Sequence, residues 1–279
     1  MARSEGACPL RARVSFAWRW IATGLIFLSF GMCGAAFSLL LFPLTLAWPH
    51  RTSAQFVSTR IVHLYFRALT ALLQAIGVMR LEVDANVRNI KRGAIIVANH
   101  PTYLDVMILL ALIPSACCVV KHAHWRNPCF FGIVRATRYV SNRDHATLIE
   151  ESVQRLCEGY SMIVFPEGTR SPANGGLHPF SRGFAHMMLA MHAHADAPST
   201  SIVPVVLTCD PPVFTKERRW YHVPRRPFCF RVSLTGALDA RQWSAPDAAP
   251  AVAARVLASG IQNHISQHLL KHEFPQAGN

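Results

Sequence analysis

From Ile21 to Trp48 the chain carries no charged residue, and that run limits what can be built on it. As a single helix these residues would extend about 42 Å, more than the roughly 30 Å hydrocarbon core of a bilayer requires. A cleaved signal peptide fits poorly, since its apolar region covers only about 7–15 residues. A lipoprotein signal at Cys33 also fails, because Met32 is too large for the position before the cysteine. Gly31, Gly34 and Pro43 predict a break into two shorter helices that enter a bilayer and return. Arg3, Arg11, Arg13 and Arg19 flank one end and Arg51, Arg60 and Arg67 the other, so the positive-inside rule has little to act on. Such a near tie is expected of a re-entrant or one-leaflet anchor with both flanks in one aqueous phase. The soluble alternative is a buried core hairpin. Ile61–Met79 continues as a mostly apolar helix, bridging the anchor to the main domain or lying in the interface itself.

The charge balance agrees with a membrane surface. The net charge is +13, yet only 15% of residues are charged and 51% are hydrophobic; an average soluble domain is about 25% charged. Disorder is excluded, because it needs low hydrophobicity. Nucleic-acid binding would explain the charge but not the apolar excess, whereas an anionic lipid surface accounts for both. The eight cysteines form no C-x-x-C pair. They read as small buried hydrophobes in a reducing compartment, which places the domain after the anchor in the cytoplasm.

After about residue 80 short β-rich runs alternate with helical stretches, the pattern of an α/β fold. Residues 1–80 thus read as a membrane anchor and 81–279 as one folded domain. Strands are expected at Arg80–Val83, Ala94–Ala98, Met162–Phe165, Ile202–Leu207 and Phe230–Leu234, with a short one at Tyr139–Ser141. Helices are expected at Tyr103–Leu112, Ala146–Glu158, Phe184–Ala193 and Ala251–Leu270. Asp144 is a candidate N-cap for the second, and Gly159 stands just past its end. Phe184, Met187, Met188 and Met191 recur at helical spacing, most simply a core face. In the last helix Val252, Val256, Ile261, Ile265 and Leu269 form the expected apolar side.

Two expected strands run into polar residues. Ala94–Ala98 leads to Asn99-His100-Pro101-Thr102-Tyr103-Leu104-Asp105, and Ser161–Phe165 to Pro166-Glu167-Gly168-Thr169-Arg170-Ser171. If the strands are parallel neighbours, both polar ends lie on the carboxyl edge of the sheet, where α/β folds bind ligands. Pro101 suits a first helical turn, which puts His100 at a helix entrance and Asp105 about one turn inside. An imidazole held by a carboxylate is a general base with its second nitrogen open to a hydroxyl proton. The N–H groups of the same helix start are candidates to stabilise an oxyanion. Glu167 and Arg170 offer charged hydrogen bonds, and an arginine fork matches phosphate oxygens; Arg143, just before a helix, is a candidate to join them.

Asn99-His100-x-x-x-x-Asp105, followed some 60 residues later by Phe165-Pro-Glu-Gly-Thr-Arg-Ser171, resembles the glycerolipid acyltransferases, the 1-acylglycerol-3-phosphate acyltransferase family. Arg143 falls at that family's intermediate arginine motif, and Ile202-Val-Pro-Val205 resembles its fourth block, so the likeness covers roughly Gly93 to Leu207. It implies a sheet flanked by helices, of the glycerol-3-phosphate acyltransferase type, carrying an N-terminal membrane anchor. It implies a membrane-bound enzyme moving a fatty acyl chain from acyl-CoA or an acyl-carrier protein to a lysolipid hydroxyl. His100 would be the base and Asp105 its orienting partner, with no acyl-enzyme, metal or redox cofactor. Arg143, Glu167, Gly168, Thr169 and Arg170 would form the acceptor headgroup site. The default acceptor is 1-acylglycerol-3-phosphate, giving phosphatidic acid. A lyso-ornithine lipid, a glycolipid or a polyketide-bearing lipid is the alternative acceptor, and a non-catalytic lipid- or carrier-binding protein the alternative class.

Some residues depart from the family pattern: Thr102 where Ser is common, Asn142 where an acid is common, and Ser181 before Arg182 where Lys is frequent. Lys216–Arg226 has no counterpart in the resemblance; it fits anionic lipid, with Trp220 and Tyr221 at the interface, or a solvated basic loop. His122-x-His124 and His192-x-His194 lack the neighbouring Cys or carboxylates of a zinc site. G-x-S-x-G, Walker A and G-x-G-x-x-G motifs are absent, which disfavours a serine hydrolase or a nucleotide cofactor.

Overall fold

Strand β2 (Ile95–Ala98) and strand β5 (Ser161–Val164) are fully buried and pair in parallel, Ile95 opposite Met162 and Val97 opposite Val164. Runs of four buried residues suit central parallel strands, covered by helices on both faces. The computed structural model describes residues 9–172, 174–194, 198–218, 221–236, 238 and 249–273. Around the central pair stand β1 (Met79–Val83), β3 (Ala116–Val120), β4 (Val140–Ser141), β6 (Ile202–Asp210) and β7 (Phe228–Leu234). Among the described residues they form one sheet in the order β1-β7-β6-β2-β5-β3-β4. Of these strand pairs only β6 with β7 is antiparallel. In β7, Phe228, Phe230 and Val232 turn inward while Arg231 turns out to Glu82 of β1, Nε to Oε2 at 2.5 Å.

The helices are α1 (Pro9–Ala36), α2 (Phe42–Ala47), α3 (Arg51–Ala75), α4 (Asp105–Leu112), α5 (Pro128–Ala136), α6 (His145–Cys157), α7 (Gly183–Ala193) and α8 (Pro250–Glu273). Two elements lie outside the expected set. Strand β3 includes the Cys117-Cys118-Val119-Val120 run, and α5 is a short helix of nine residues. Asp144 does cap α6, accepting from the Thr147 N–H at 2.8 Å, and Gly159 follows it at φ +82°. The Met stripe of α7 is core. In α8 the buried side is Ala254, Leu257, Ala258, Ile261, Ile265 and Leu269; Val252 and Val256 are exposed, contrary to expectation.

The apolar run does not break at its glycines. Helix α1 continues through Gly31 and Gly34, and the irregularity falls at Phe37–Leu41, a π-helical segment before α2. A close crossing with α5 lies at this point. A methyl at Gly34 would sit inside the van der Waals radius of the Cys129 carbonyl, and one at Gly132 would overlap the Ser38 backbone. Ser38 Oγ stands in the crossing, donating to the Pro128 carbonyl at 2.7 Å and accepting from the Gly132 N–H at 2.9 Å. Gly34 is therefore a contact residue, not a breaker.

Helix α3 also departs from the expected 61–79: it starts at Arg51 and stops at Ala75. Gly77 at φ +71° ends it, with the Val78 N–H reaching back to the Leu73 carbonyl at 3.1 Å, a Schellman closure. One side of α3, with Val62, Phe66, Leu69 and Leu73, joins the core, while Phe56, Val57, Leu64 and Leu72 are exposed. Residues 15–47 and 51–75 are both long and apolar enough to cross a membrane, and only 6% of the most apolar window of the first is buried. That surface includes Trp18, Trp20, Leu25, Leu28, Leu44 and Leu46.

Arg19 ties this helical layer to the basic segment, its guanidinium donating to the carbonyls of Pro224 and Arg225. Within that segment Arg226 holds both carboxylate oxygens of Asp210, at 3.1 and 2.9 Å. Trp220 lies outside the described residues.

Candidate active site

The polar ends of β2 and β5 lie side by side on the carboxyl edge, as their parallel pairing dictates. Asn99 closes β2 by acting as a strand residue through its side chain. Its Nδ2 donates to the Leu207 carbonyl at 2.9 Å, and its Oδ1 accepts from the Leu207 N–H at 2.7 Å. The next residue, His100, is thereby fixed at the sheet edge.

His100 Nδ1 lies 2.7 Å from Asp105 Oδ2. The route differs from the expected one. Residues 101–104 form a turn rather than helix, and Asp105 is the first residue of α4, not one turn inside it. Asp105 is fully buried, and the turn is built around it. The Thr102 N–H donates to Oδ2 at 2.9 Å and the Thr102 hydroxyl to Oδ1 at 2.6 Å. Thr102 Oγ1 in turn accepts from the Leu104 N–H at 2.9 Å. Two N–H groups before the helix are thus already used, and neither is available to an oxyanion. A carboxylate with these donors holds the proton of the imidazole on Nδ1, leaving Nε2 as the basic lone pair. Phe165 covers the ring, centroid to centroid at 4.4 Å.

Glu167 is where the structure departs most from the expected headgroup site. It is 8% exposed, and both oxygens are occupied by donors of the protein. Oε1 accepts from the His100 N–H at 3.0 Å and the Ser171 hydroxyl at 2.5 Å; Oε2 accepts from the His178 N–H at 2.9 Å. The Ser171 N–H closes the circle on the His100 carbonyl at 2.7 Å. This carboxylate clamps the loop after β5 to the backbone of His100.

Arg170 is partly committed as well. Its Nη1 donates to the carbonyls of Phe214 and Thr215, at 2.8 and 2.6 Å, and its guanidinium stacks 3.9 Å from the Tyr103 ring centroid. Its Nε and Nη2 have no protein acceptor among the described residues. Phe214 sits at φ +52°, a region that costs a bulky residue about 1–2 kcal/mol. The Arg170 bonds hold that carbonyl in place. Gly168, at φ +64°, is exposed at the turn of the loop, with Thr169 beside it half-buried. Arg143 lies after β4, two strands from β5, exposed and with no side-chain partner among the described residues.

Thr102, Ser171, Phe165 and Tyr103 carry no separate signal as site residues in the sequence. Each stands inside one of the two motifs, but its partner is set by the turn or by another strand. Among the described residues no group of three His, Cys, Asp or Glu is placed to hold a metal ion. His122 approaches Ser141 Oγ at 3.2 Å, and His124 packs on Phe130.

Residues 79–208 match the family model described as Acyltransferase. Over 176 residues the chain is 28% identical to the 1-acyl-sn-glycerol-3-phosphate acyltransferase of Limnanthes alba, covering 61% of this chain and 57% of that protein. Over 123 residues it is 32% identical to the enzyme of the same name from Cocos nucifera, covering 41% and 37%. Over 140 residues it is 28% identical to human 1-acyl-sn-glycerol-3-phosphate acyltransferase beta, covering 47% and 46%. The chain therefore spans about half the length of these curated relatives. The crystal structure of the 1-acyl-sn-glycerophosphate (LPA) acyltransferase PlsC from Thermotoga maritima superposes with a TM-score of 0.65 at 18% identity, over 93% of this chain and 100% of that one. The two share a fold.

Proposed function

Because this chain belongs to the glycerolipid acyltransferase family, we propose that it transfers a fatty acyl group from a thioester, acyl-CoA or acyl-carrier protein, to the hydroxyl of 1-acylglycerol-3-phosphate. The single observation that carries the chemistry is the buried Asp105 carboxylate, oriented by Thr102 and bonded to His100 Nδ1. His100 Nε2 takes the acceptor's hydroxyl proton as the oxygen attacks the thioester carbonyl carbon. The tetrahedral intermediate collapses with cleavage of the C–S bond, and the imidazolium returns its proton to the leaving thiolate. Asp105 stabilises that imidazolium through its bond to Nδ1. No cofactor takes part.

For the acceptor phosphate, the unpaired Nε and Nη2 of Arg170 and the exposed Arg143 are the available cationic donors, with Gly168 and Thr169 on the same loop as Arg170. Glu167 serves them indirectly, by holding the loop. The exposed apolar faces of α1, α2 and α3 anchor the protein in one leaflet, with the sheet on the cytoplasmic side. Their exposed carbon surface supports this reading.

The test is thiol release from acyl-CoA or acyl-carrier protein by detergent-purified protein, with and without lysolipid. Acceptor-dependent release that vanishes in His100→Ala supports the reading. Thiol release without acceptor dependence, or unchanged in His100→Ala, refutes it. Mass spectrometry of products across an acceptor panel identifies the headgroup.

A further inference from the structure

A second cationic surface lies away from His100. A cavity of about 360 Å³ opens between the start of α3, the end of α5 and the middle of α6. These elements meet beside β3 and β4, whereas His100 projects from the carboxyl edge of β2. Arg51, Arg135, Arg138 and Arg155 line the cavity, with Glu151 as the one carboxylate among the lining residues. Glu158 balances Arg155 at 2.8 Å and reaches Arg138 at 4.0 Å, but Arg51 and Arg135 have no carboxylate partner among the described residues.

Gln55 of α3 is the informative side chain. It is 1% exposed and lines the cavity. Its Oε1 accepts from Arg155 Nη1 at 2.6 Å and Arg138 Nη1 at 3.2 Å, so the amide is locked in orientation. Its Nε2 is buried without a partner. A buried donor left unsatisfied is costly, by about 1–3 kcal/mol, and an anion's oxygen would satisfy it. The N-terminus of α3 adds to the same field: 25 residues long, it has no side-chain cap and no acid in its first turn, so its positive end is uncompensated. Arg135 is held against the wall by Phe131, Phe42 and Trp125, at 4.5, 5.8 and 5.9 Å from its guanidinium carbon.

Part of the cavity rim is apolar. Phe42 and Leu46 of α2 form it, and Leu44, Leu46 and Trp48 continue outward as an exposed carbon surface. A cationic floor that passes directly into such a surface matches a phosphate carrying acyl chains.

We propose that this cavity is a second phosphate-binding site, separate from the acyl-transfer site, that takes the headgroup of an anionic phospholipid. The inference does not depend on the acyl-transfer reading. It is tested by thermal denaturation of the full chain in detergent, titrated with dihexanoyl phosphatidic acid, dihexanoylglycerol and inorganic phosphate. Dihexanoyl phosphatidic acid should raise the melting temperature by about 4 °C near saturation, with little response to the other two. In the double variant Arg51→Gln, Arg135→Gln the half-maximal concentration should rise at least tenfold, while turnover at saturating acceptor is retained. Arg51→Gln alone, at an exposed position, should show a smaller loss in the same direction and guards against misfolding of the double variant. An equal response to inorganic phosphate would overturn the lipid assignment. No response to any of the three, or an unchanged titration in the double variant, would overturn the site. A titration weakened by Arg143→Gln but not by the double variant would also overturn it, by moving the lipid to the acceptor site.

Discussion

Thr102 bonds to Asp105 twice, through its N–H to Oδ2 at 2.9 Å and through its hydroxyl to Oδ1 at 2.6 Å, and this pairing leaves Oδ2 aimed at His100. The turn before α4 is therefore shaped by the carboxylate it carries. Asp105→Asn replaces an acceptor by an amide that cannot serve three donors. Turnover should fall by about 10²–10⁴, the usual worth of a positioned base. Thr102→Val removes the hydroxyl that donates to Asp105 and accepts from the Leu104 N–H, and should cost about tenfold in kcat with KM for the acceptor unchanged; Thr102→Ser should restore it. Steady-state kinetics of the three variants checks this, and a Thr102→Val enzyme with wild-type kcat would break the link between this turn and the base.

Glu167 and Arg143 are expected to separate kinetically. Glu167→Gln leaves one side-chain oxygen to accept from His100 N–H, Ser171 and His178, so His100 itself shifts. Its main loss should be in kcat, with a lower melting temperature. Arg143→Gln touches no other described side chain and should raise KM for a phosphate-bearing acceptor about tenfold while the fold is unchanged. Equal KM effects in both would return Glu167 to the headgroup site.

The crossing of α1 with α5 leaves no room for a methyl. Gly132→Ala places Cβ against the Ser38 backbone, which cannot swing aside as a side chain tip would. A loss of about 1–3 kcal/mol is expected, the range for overpacking a filled contact. Gly24→Ala, where nothing lies within 4 Å, is the control and should not destabilise. Melting temperatures in matched detergent decide between them.

Burial pushes the Cys117 thiol up to about 12 and holds Cys118 well above its ordinary value, so neither forms thiolate at neutral pH. Cys157 is exposed on α6. Alkylation of the native protein at pH 8, followed by peptide mass spectrometry, should modify Cys157 and spare Cys117 and Cys118; all three should react after denaturation. Rapid native labelling of Cys117 would contradict the packing of β3.

The features legible in the sequence are those that depend on short range or on periodicity. His100 and Asp105, the polar strand ends, the Asp144 cap, the Met face of α7 and the apolar N-terminal run all come from local order and spacing. Strand β3 and helix α5 are not legible in this way. Cys117–Val120 is an apolar run too short to carry a period, and α5 is a nine-residue helix whose glycine is explained only by the helix it crosses.

Among the candidate site residues, the chain itself determined which groups were present: an imidazole, a carboxylate and a loop of charged groups at two strand ends. Only the tertiary structure decided which charge is left open to solvent and which is bonded within the protein. Glu167 and His100 are 67 positions apart, and Asn99 and Leu207 are 108 apart. A side chain has a limited number of hydrogen-bonding sites, and backbone groups brought near by the sheet reach Glu167 first. The same holds for Gly34. Its residue type permits either a break or a close contact, and the arrival of α5 selects the contact.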